Sequence, residues 1–160
     1  MIKQIGRENI PECVSVIRES FMTVADELGF TAQNAPGFTA FSTNEEKLNW
    51  QYENETRSMF ACFDNEKIVG YYSLLYFENN ECELNNLCVL PEFRHRKIGE
   101  ELLNNAFAQA KKSDCTKMKI GIVEENIRLR RWYEKHGFTH TGTEKFDFFP
   151  FTCGYMEIEI

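Results

Sequence analysis

Apolar positions along the chain change period several times, and each change marks an element. Met1 to Ile5 predicts a short strand. Behind Asn9 as a cap and Pro11 in the first turn, Cys13, Val16, Ile17 and Phe21 fall on one face and predict a helix. From Leu28 to Ser42 the period is lost among Gly, Pro, Asn and Phe, which reads as a long loop. Thr43-Asn44-Glu45-Glu46 then opens a second short helix that runs to about Tyr52.

Strand signals follow closely. Met59 to Phe63 and Ile68 to Phe77 flank a turn at Asp64-Asn65-Glu66-Lys67, and Glu78-Asn79-Asn80 turns the chain again into Cys82 to Leu90. The strongest helical stripe is Ile98, Leu102, Leu103, Ala106, Phe107 and Ala110, in a helix from Ile98 to about Lys112. Met118, Ile120 and Ile122 alternate as a strand, and Asn126 to His136 reads as a helix stopped by Gly137. Thr139 to Phe148 and Phe151 to Ile160 close the chain as two strands hinged at Pro150. With no repeat, low-complexity tract or linker, residues 1–160 read as one mixed α/β domain.

Composition narrows the classes. Of 160 residues 42 % are hydrophobic and 14 % aromatic, enough for a core without metal or disulfide staples. A net charge of −7 argues against nucleic acid and anionic membrane as partners, but not against a small anion held at a local basic patch. The first residues show no apolar signal segment, and no run reaches membrane-spanning length, so a cytoplasmic protein is expected. Six cysteines contain no C-x-x-C pair and the three histidines do not sit at zinc spacing, so no metal is expected and the thiols read as reduced core residues.

One segment runs against helix physics. A helix start carries positive potential from unpaired N–H groups, so basic side chains are disfavoured there. Arg94, Arg96 and Lys97 nevertheless cluster at the start of the Ile98 helix. A bound anion would turn that conflict into cooperation, and Gly99 would let it approach the backbone. The bland alternative is a solvated basic loop with Glu100 and Glu101 as ordinary first-turn acids. Neither a Rossmann glycine pattern nor a Walker-type loop is present.

The strand before this loop, Cys82 to Leu90, does not keep one alternation phase: Leu84 and Leu87 are an odd step apart, with Asn85 and Asn86 between them. A β-bulge at these asparagines explains the slip, as does a strand apolar on both faces. Glu83 is either a solvent-facing strand residue or a carboxylate at a cleft that takes a proton. Tyr133 lies two turns from Asn126 on roughly the same helix face, where a core role is the commoner one. Arg128, Arg130 and Arg131 read as a solvated face from which one could reach a second phosphate.

From Glu83 to Phe138 these segments resemble the GCN5-related N-acetyltransferase (GNAT) superfamily. Two motifs carry the likeness. Arg94-His95-Arg96-Lys97-Ile98-Gly99 resembles its strand-to-helix signature, with Lys97 in place of the first glycine. Asn126, Leu129, Tyr133, Gly137 and Phe138 resemble its downstream helix motif, with Leu129 in place of the usual small residue. The resemblance implies the GNAT-type fold, a mostly antiparallel twisted sheet of about seven strands flanked by about four helices. It further implies acetyl-CoA as co-substrate, with no metal. Leu87, Cys88 and Val89 would meet the thioester and pantetheine, and Leu87 N–H would polarise the acetyl carbonyl. Arg94, His95, Arg96, Lys97, Ile98, Gly99 and Glu100 would hold the pyrophosphate, while Asn126 and Leu129 would line the cofactor arm. Glu83 would be the general base and Tyr133 the general acid.

The acceptor is expected to be a primary amine of a small molecule. An aromatic pool points to an apolar or amphipathic one, with Phe30, Phe38, Phe41, Tyr72, Phe146 and Phe149 as candidate contacts. Net acidity favours a cationic acceptor. Two rival readings are the same chemistry on a protein N-terminus or lysine, and a non-catalytic acyl-CoA-binding module. A paired C-terminal strand, Phe151 to Ile160, would support a homodimer.

Overall fold

The computed structural model describes residues 1–160. Seven strands form one sheet: β1 (Ile2–Gln4), β2 (Arg57–Asp64), β3 (Lys67–Tyr76), β4 (Glu81–Val89), β5 (Lys117–Val123), β6 (Thr139–Lys145) and β7 (Thr152–Glu159). Five helices accompany them: α1 (Ile10–Leu28), α2 (Thr39–Ser42), α3 (Glu45–Asn54), α4 (Ile98–Lys112) and α5 (Ile127–Lys135). The spatial order is β1-β2-β3-β4-β5-β7-β6. Every neighbouring pair is antiparallel except β4 and β5, which α4 connects as a crossover.

Strand β3 is buried on both faces because helices cover both. Tyr71 lies by Cys13 of α1, whereas the next residue, Tyr72, donates from its hydroxyl to Asn105 Oδ1 of α4 at 2.6 Å. Successive side chains point to opposite faces, so α1 and α4 sandwich the sheet. Gly70 allows the close approach of α4: a Cβ there would meet Leu102 Cδ1 at 2.8 Å and Cys88 O at 3.1 Å. The main core spans both layers, and a smaller cluster of Ala25, Ala35, Phe38, Ala40 and Phe151 sits apart from it.

Three expectations about elements change. The stretch from Leu28 to Ser42 is not a continuous loop: Gly29 (φ 74) caps α1, and Thr39–Ser42 form one helical turn. Buried Phe38 and Ala40 anchor that turn, and a single turn leaves no periodicity to read. Asn9 does not cap α1 with its side chain, because its Oδ1 accepts from Gly6 N at 3.0 Å and a 3-10 turn precedes the helix. Nor is β7 an open edge: β5 and β6 flank it, so it offers no free side to a second copy. The free edges of the sheet belong to β1 and β6.

Candidate functional site

A fork in the sheet makes the site. β4 and β5 pair only at Glu81↔Lys117, Cys82↔Met118 and Glu83↔Lys119, after which β4 runs on to Val89 and β5 to Val123 without pairing. Beyond Glu83 the facing edges therefore present backbone N–H and C=O groups with no strand between them. A buried backbone group without a partner is costly, so such an edge suits an extended, amide-bearing ligand. β4 is also bulged there: Ser73 pairs with Asn85 and Tyr71 with Cys88, leaving Tyr72 opposite both Asn86 and Leu87. Asn86 absorbs the bulge at φ 55. The odd step between Leu84 and Leu87 is this bulge, in a strand that is also central.

The fork opens into a mainly apolar cleft of about 270 Å³. Leu84 to Leu87 line one wall and Ile120 to Val123 the other, with Asn126, Leu129 and Tyr133 of the α5 region beside them. Asn126 caps α5, its Oδ1 accepting from Leu129 N at 3.3 Å, so its Nδ2 stays free at the cleft. Tyr133 is 5 % exposed, and burial pushes its hydroxyl well above the ordinary value of 10. No group of the chain accepts a hydrogen bond from it. A neutral phenol facing a cleft can give up a proton but does not exist as phenolate near neutrality.

At the end of β4, Pro91–Phe93 make a 3-10 turn and the chain enters α4 through two residues in the left-handed region, His95 (φ 64) and Lys97 (φ 65). The first helical bond runs from Glu101 N to Lys97 O at 3.0 Å. The backbone N–H groups from His95 to Glu100 find no acceptor in the chain. Six consecutive donors at a helix N-terminus form a nest for an anion. The side chains of His95, Arg96 and Lys97 are exposed around it, Arg96 lying over the Phe93 ring at 5.1 Å. A Cβ on Gly99 would point between Trp132 and Val89, at 3.7 and 3.9 Å.

Arg94 is the exception in the basic cluster. Its guanidinium turns inward and donates to Val89 O (3.1 Å), Thr23 Oγ1 (3.0 Å) and Ser20 O (2.9 Å). It ties the end of β4 to α1 instead of facing the nest, so the candidate cradle runs from His95 to Glu100. The Cys88 side chain is likewise turned into the core, where burial pushes its thiol up to about 12. Only its backbone is available. Of the α5 arginines, Arg130 is committed to Glu124 and Glu134, at 2.7 and 2.9 Å.

Glu83 does not line the apolar cleft. It lies in an adjoining polar pocket that shares Gly37, Thr39, Asn85 and Asn86 with it. Asn85 Nδ2 donates to Glu83 Oε1 at 2.6 Å, while Asn85 Oδ1 accepts from Arg57 Nη1 at 2.8 Å. Arg57 also holds Ser73 Oγ (2.7 Å) and Glu55 Oε2 (2.6 Å). This relay fixes the Glu83 carboxylate at the mouth of the fork. Sequence reading missed Arg57 and Asn85, because an Arg at a strand start and an Asn in a strand carry no signal of their partners.

The aromatic candidates divide. Phe38 and Phe149 line the cleft, joined by Phe21, Phe151 and Tyr155. Phe30 stands behind them, 5.1 Å from both Phe38 and Phe151. Phe41 packs with the small cluster, and Phe146 stacks on Phe148 at 5.1 Å; neither reaches the cleft. Tyr72 is a core residue, stacked on Phe60 at 5.1 Å and directed to α4, so it is removed from the acceptor set.

Comparison with known proteins agrees with this geometry. The model of the acetyltransferase (GNAT) family matches residues 26–138. A spermidine N(1)-acetyltransferase of Thermoplasma acidophilum is 23 % identical over 151 residues, covering 92 % of each chain. An uncharacterized N-acetyltransferase of Mycobacterium bovis is 28 % identical over 90 residues, or 56 % of this chain, and the match spans 58 % of that relative's length. Among solved structures, the PaiA N-acetyltransferase of T. acidophilum, in complex with coenzyme A, superposes with a TM-score of 0.84 at 22 % identity, covering 100 % of this chain and 98 % of that one. A ribosomal-protein-alanine N-acetyltransferase of Brucella melitensis gives 0.72 at 17 % identity, over 100 % and 99 %. These structural likenesses establish the shared fold.

Proposed function

This chain belongs to the acetyltransferase (GNAT) family, and from that premise we propose that it transfers an acetyl group from acetyl-coenzyme A to a primary amine of a small molecule. The observation that carries the reading is that β4 leads from the fork directly into the nest of six free amides before α4. The residues present fit the cofactor: amides from His95 to Glu100 suit a pyrophosphate, and the unpaired edges beyond Glu83 suit the amides of a pantetheine arm. Leu87 and Val89 lie on the β4 edge, with Leu87 N–H at the bulge as the donor for a carbonyl oxygen. Asn126 Nδ2 and Leu129 flank the arm from α5.

Bound acetyl-CoA supplies an activated thioester, so the chain's task is positioning and proton handling. An alkylammonium has a pKa near about 10.4 and must lose a proton before it can attack. Glu83, held by Asn85 at the mouth of the fork, takes that proton directly or through water. Tyr133, kept as a neutral phenol by burial, returns a proton to the departing sulfur.

A thiol-release assay with acetyl-CoA over a panel of amines and peptides tests the reading. Turnover with small amines is expected, together with near loss of turnover in Glu83→Gln/Tyr133→Phe. A double variant as fast as wild type would remove both assignments, and turnover with peptides alone would favour a protein acceptor.

A further inference from the structure

The polar pocket beside Glu83 has a chemistry that the acetyl-transfer reading does not use. About 280 Å³ in volume, it has no hydrophobic residue in its wall. Thr39, Ser42 and Thr43 come from α2 and its end, Lys47 and Gln51 from successive turns of α3, and Arg57 from β2. Their hydrogen-bonding capacity is largely unspent. The three hydroxyls, the Gln51 amide and the Lys47 ammonium make no side-chain hydrogen bond or ion pair within the chain, although Thr43 is only 2 % exposed. Four of the five guanidinium N–H groups of Arg57 are taken by Glu55, Ser73 and Asn85, which leaves one.

Charge decides what fits. Glu83 is the one carboxylate in the wall, which also carries the free Lys47 ammonium and Arg57, whose charge Glu55 already offsets. A polyamine needs further carboxylates for its further ammonium groups, and this wall supplies cations instead. A molecule with an ammonium at Glu83 and an oxyanion towards Lys47 satisfies every charge. Such complementarity favours amines that carry the oxyanion over analogues that lack it.

We infer that the acceptor is a small primary amine bearing an oxyanion, a carboxylate or phosphate, with Lys47 as the residue that selects it. This rests on the acetyl-transfer reading and departs from the expectation of a cationic acceptor drawn from net charge alone.

The test compares an amino acid, its carboxamide, an aminoalkyl phosphate and spermidine of similar reach in two assays. One is the initial rate with acetyl-CoA, the other calorimetric binding to the CoA-saturated protein. The oxyanion-bearing amines should show KM and Kd at least about tenfold below the carboxamide and spermidine. Lys47→Met should raise both about tenfold for these amines, leave kcat within about twofold and leave the carboxamide unchanged, while Lys47→Arg retains the preference. The stronger response between carboxylate and phosphate identifies the oxyanion. Equal or better use of spermidine or the carboxamide would overturn the inference, as would failure of every oxyanion-bearing amine to bind. Binding with the predicted preference but no transfer would sink the transferase reading and leave this one standing.

Discussion

Lys97 holds a left-handed backbone (φ 65) at the α4 cap, a conformation that costs an L-residue roughly 1–2 kcal/mol. Glycine would avoid that strain but would lose roughly 0.5–1 kcal/mol in chain entropy. Lys97→Gly should therefore stabilise the fold by up to about 1.5 kcal/mol in urea denaturation, and CoA affinity should stay within about twofold, because the donors here are backbone amides. A CoA affinity lost with the ammonium would make the side chain the binder instead. Tyr133 makes a different kind of prediction. Tyr133→Phe should lower kcat by about 10²–10⁴ with CoA binding unchanged, and an undiminished kcat would leave the phenol as plain core. Both positions were legible from motif spacing. The direction of Arg94 was not: three basic residues within four positions look alike in sequence, and only the packing of α1 against β4 provides the Ser20 and Thr23 oxygens that draw one of them inward.

At the scale of elements, period and capping located nearly everything long. The bounds of α4 and the Asn126–Gly137 frame of α5 follow from an apolar stripe, a cap and a glycine at φ 99. The single turn of α2 had no such stripe, yet it brings Thr39 to both parts of the site and sets Phe38, just before it, in the apolar cleft. The bulge in β4 was visible as an odd step, but the fork beyond Glu83 was not, since strand pairing is a long-range property. Arg94 links two of these elements, and its loss should act through stability. Arg94→Met leaves the Ser20 and Val89 carbonyls without their charged donor and should cost about 2–3 kcal/mol in urea denaturation. A change below about 0.5 kcal/mol would show that the guanidinium is no clamp.

For the molecule as a whole, strand count and class were readable from pattern. Net charge and local charge point to different acceptors: the chain as a whole carries −7, while the polar pocket holds Lys47 and Arg57 against one carboxylate. Burial also gives the fold a pH limit. The hydroxyls of Tyr71, Tyr72 and Tyr133 are raised above the ordinary value of 10, chiefly by desolvation. The unfolded chain gives up these protons first, so their contribution is complete below about pH 10 and is lost as pH rises through the raised values. The buried thiols of Cys13, Cys82 and Cys88 are likewise raised from an ordinary value of 9.0, first of all by desolvation, so the urea midpoint should begin to fall above about pH 9 and fall further above about pH 10; a flat response to about pH 11 would contradict it.

The central claim is that one continuous groove, from the fork of β4 and β5 to the nest before α4, holds acetyl-CoA. Backbone amide spectra recorded during titration with CoA, and separately with pantetheine, test it most directly. CoA should move the amides of His95 to Glu100 downfield as phosphate oxygens accept from them, together with residues along β4 and β5. Pantetheine, which lacks the pyrophosphate, should move the strand residues and leave His95 to Glu100 in place. Saturable CoA binding that leaves those six amides unmoved would contradict the account.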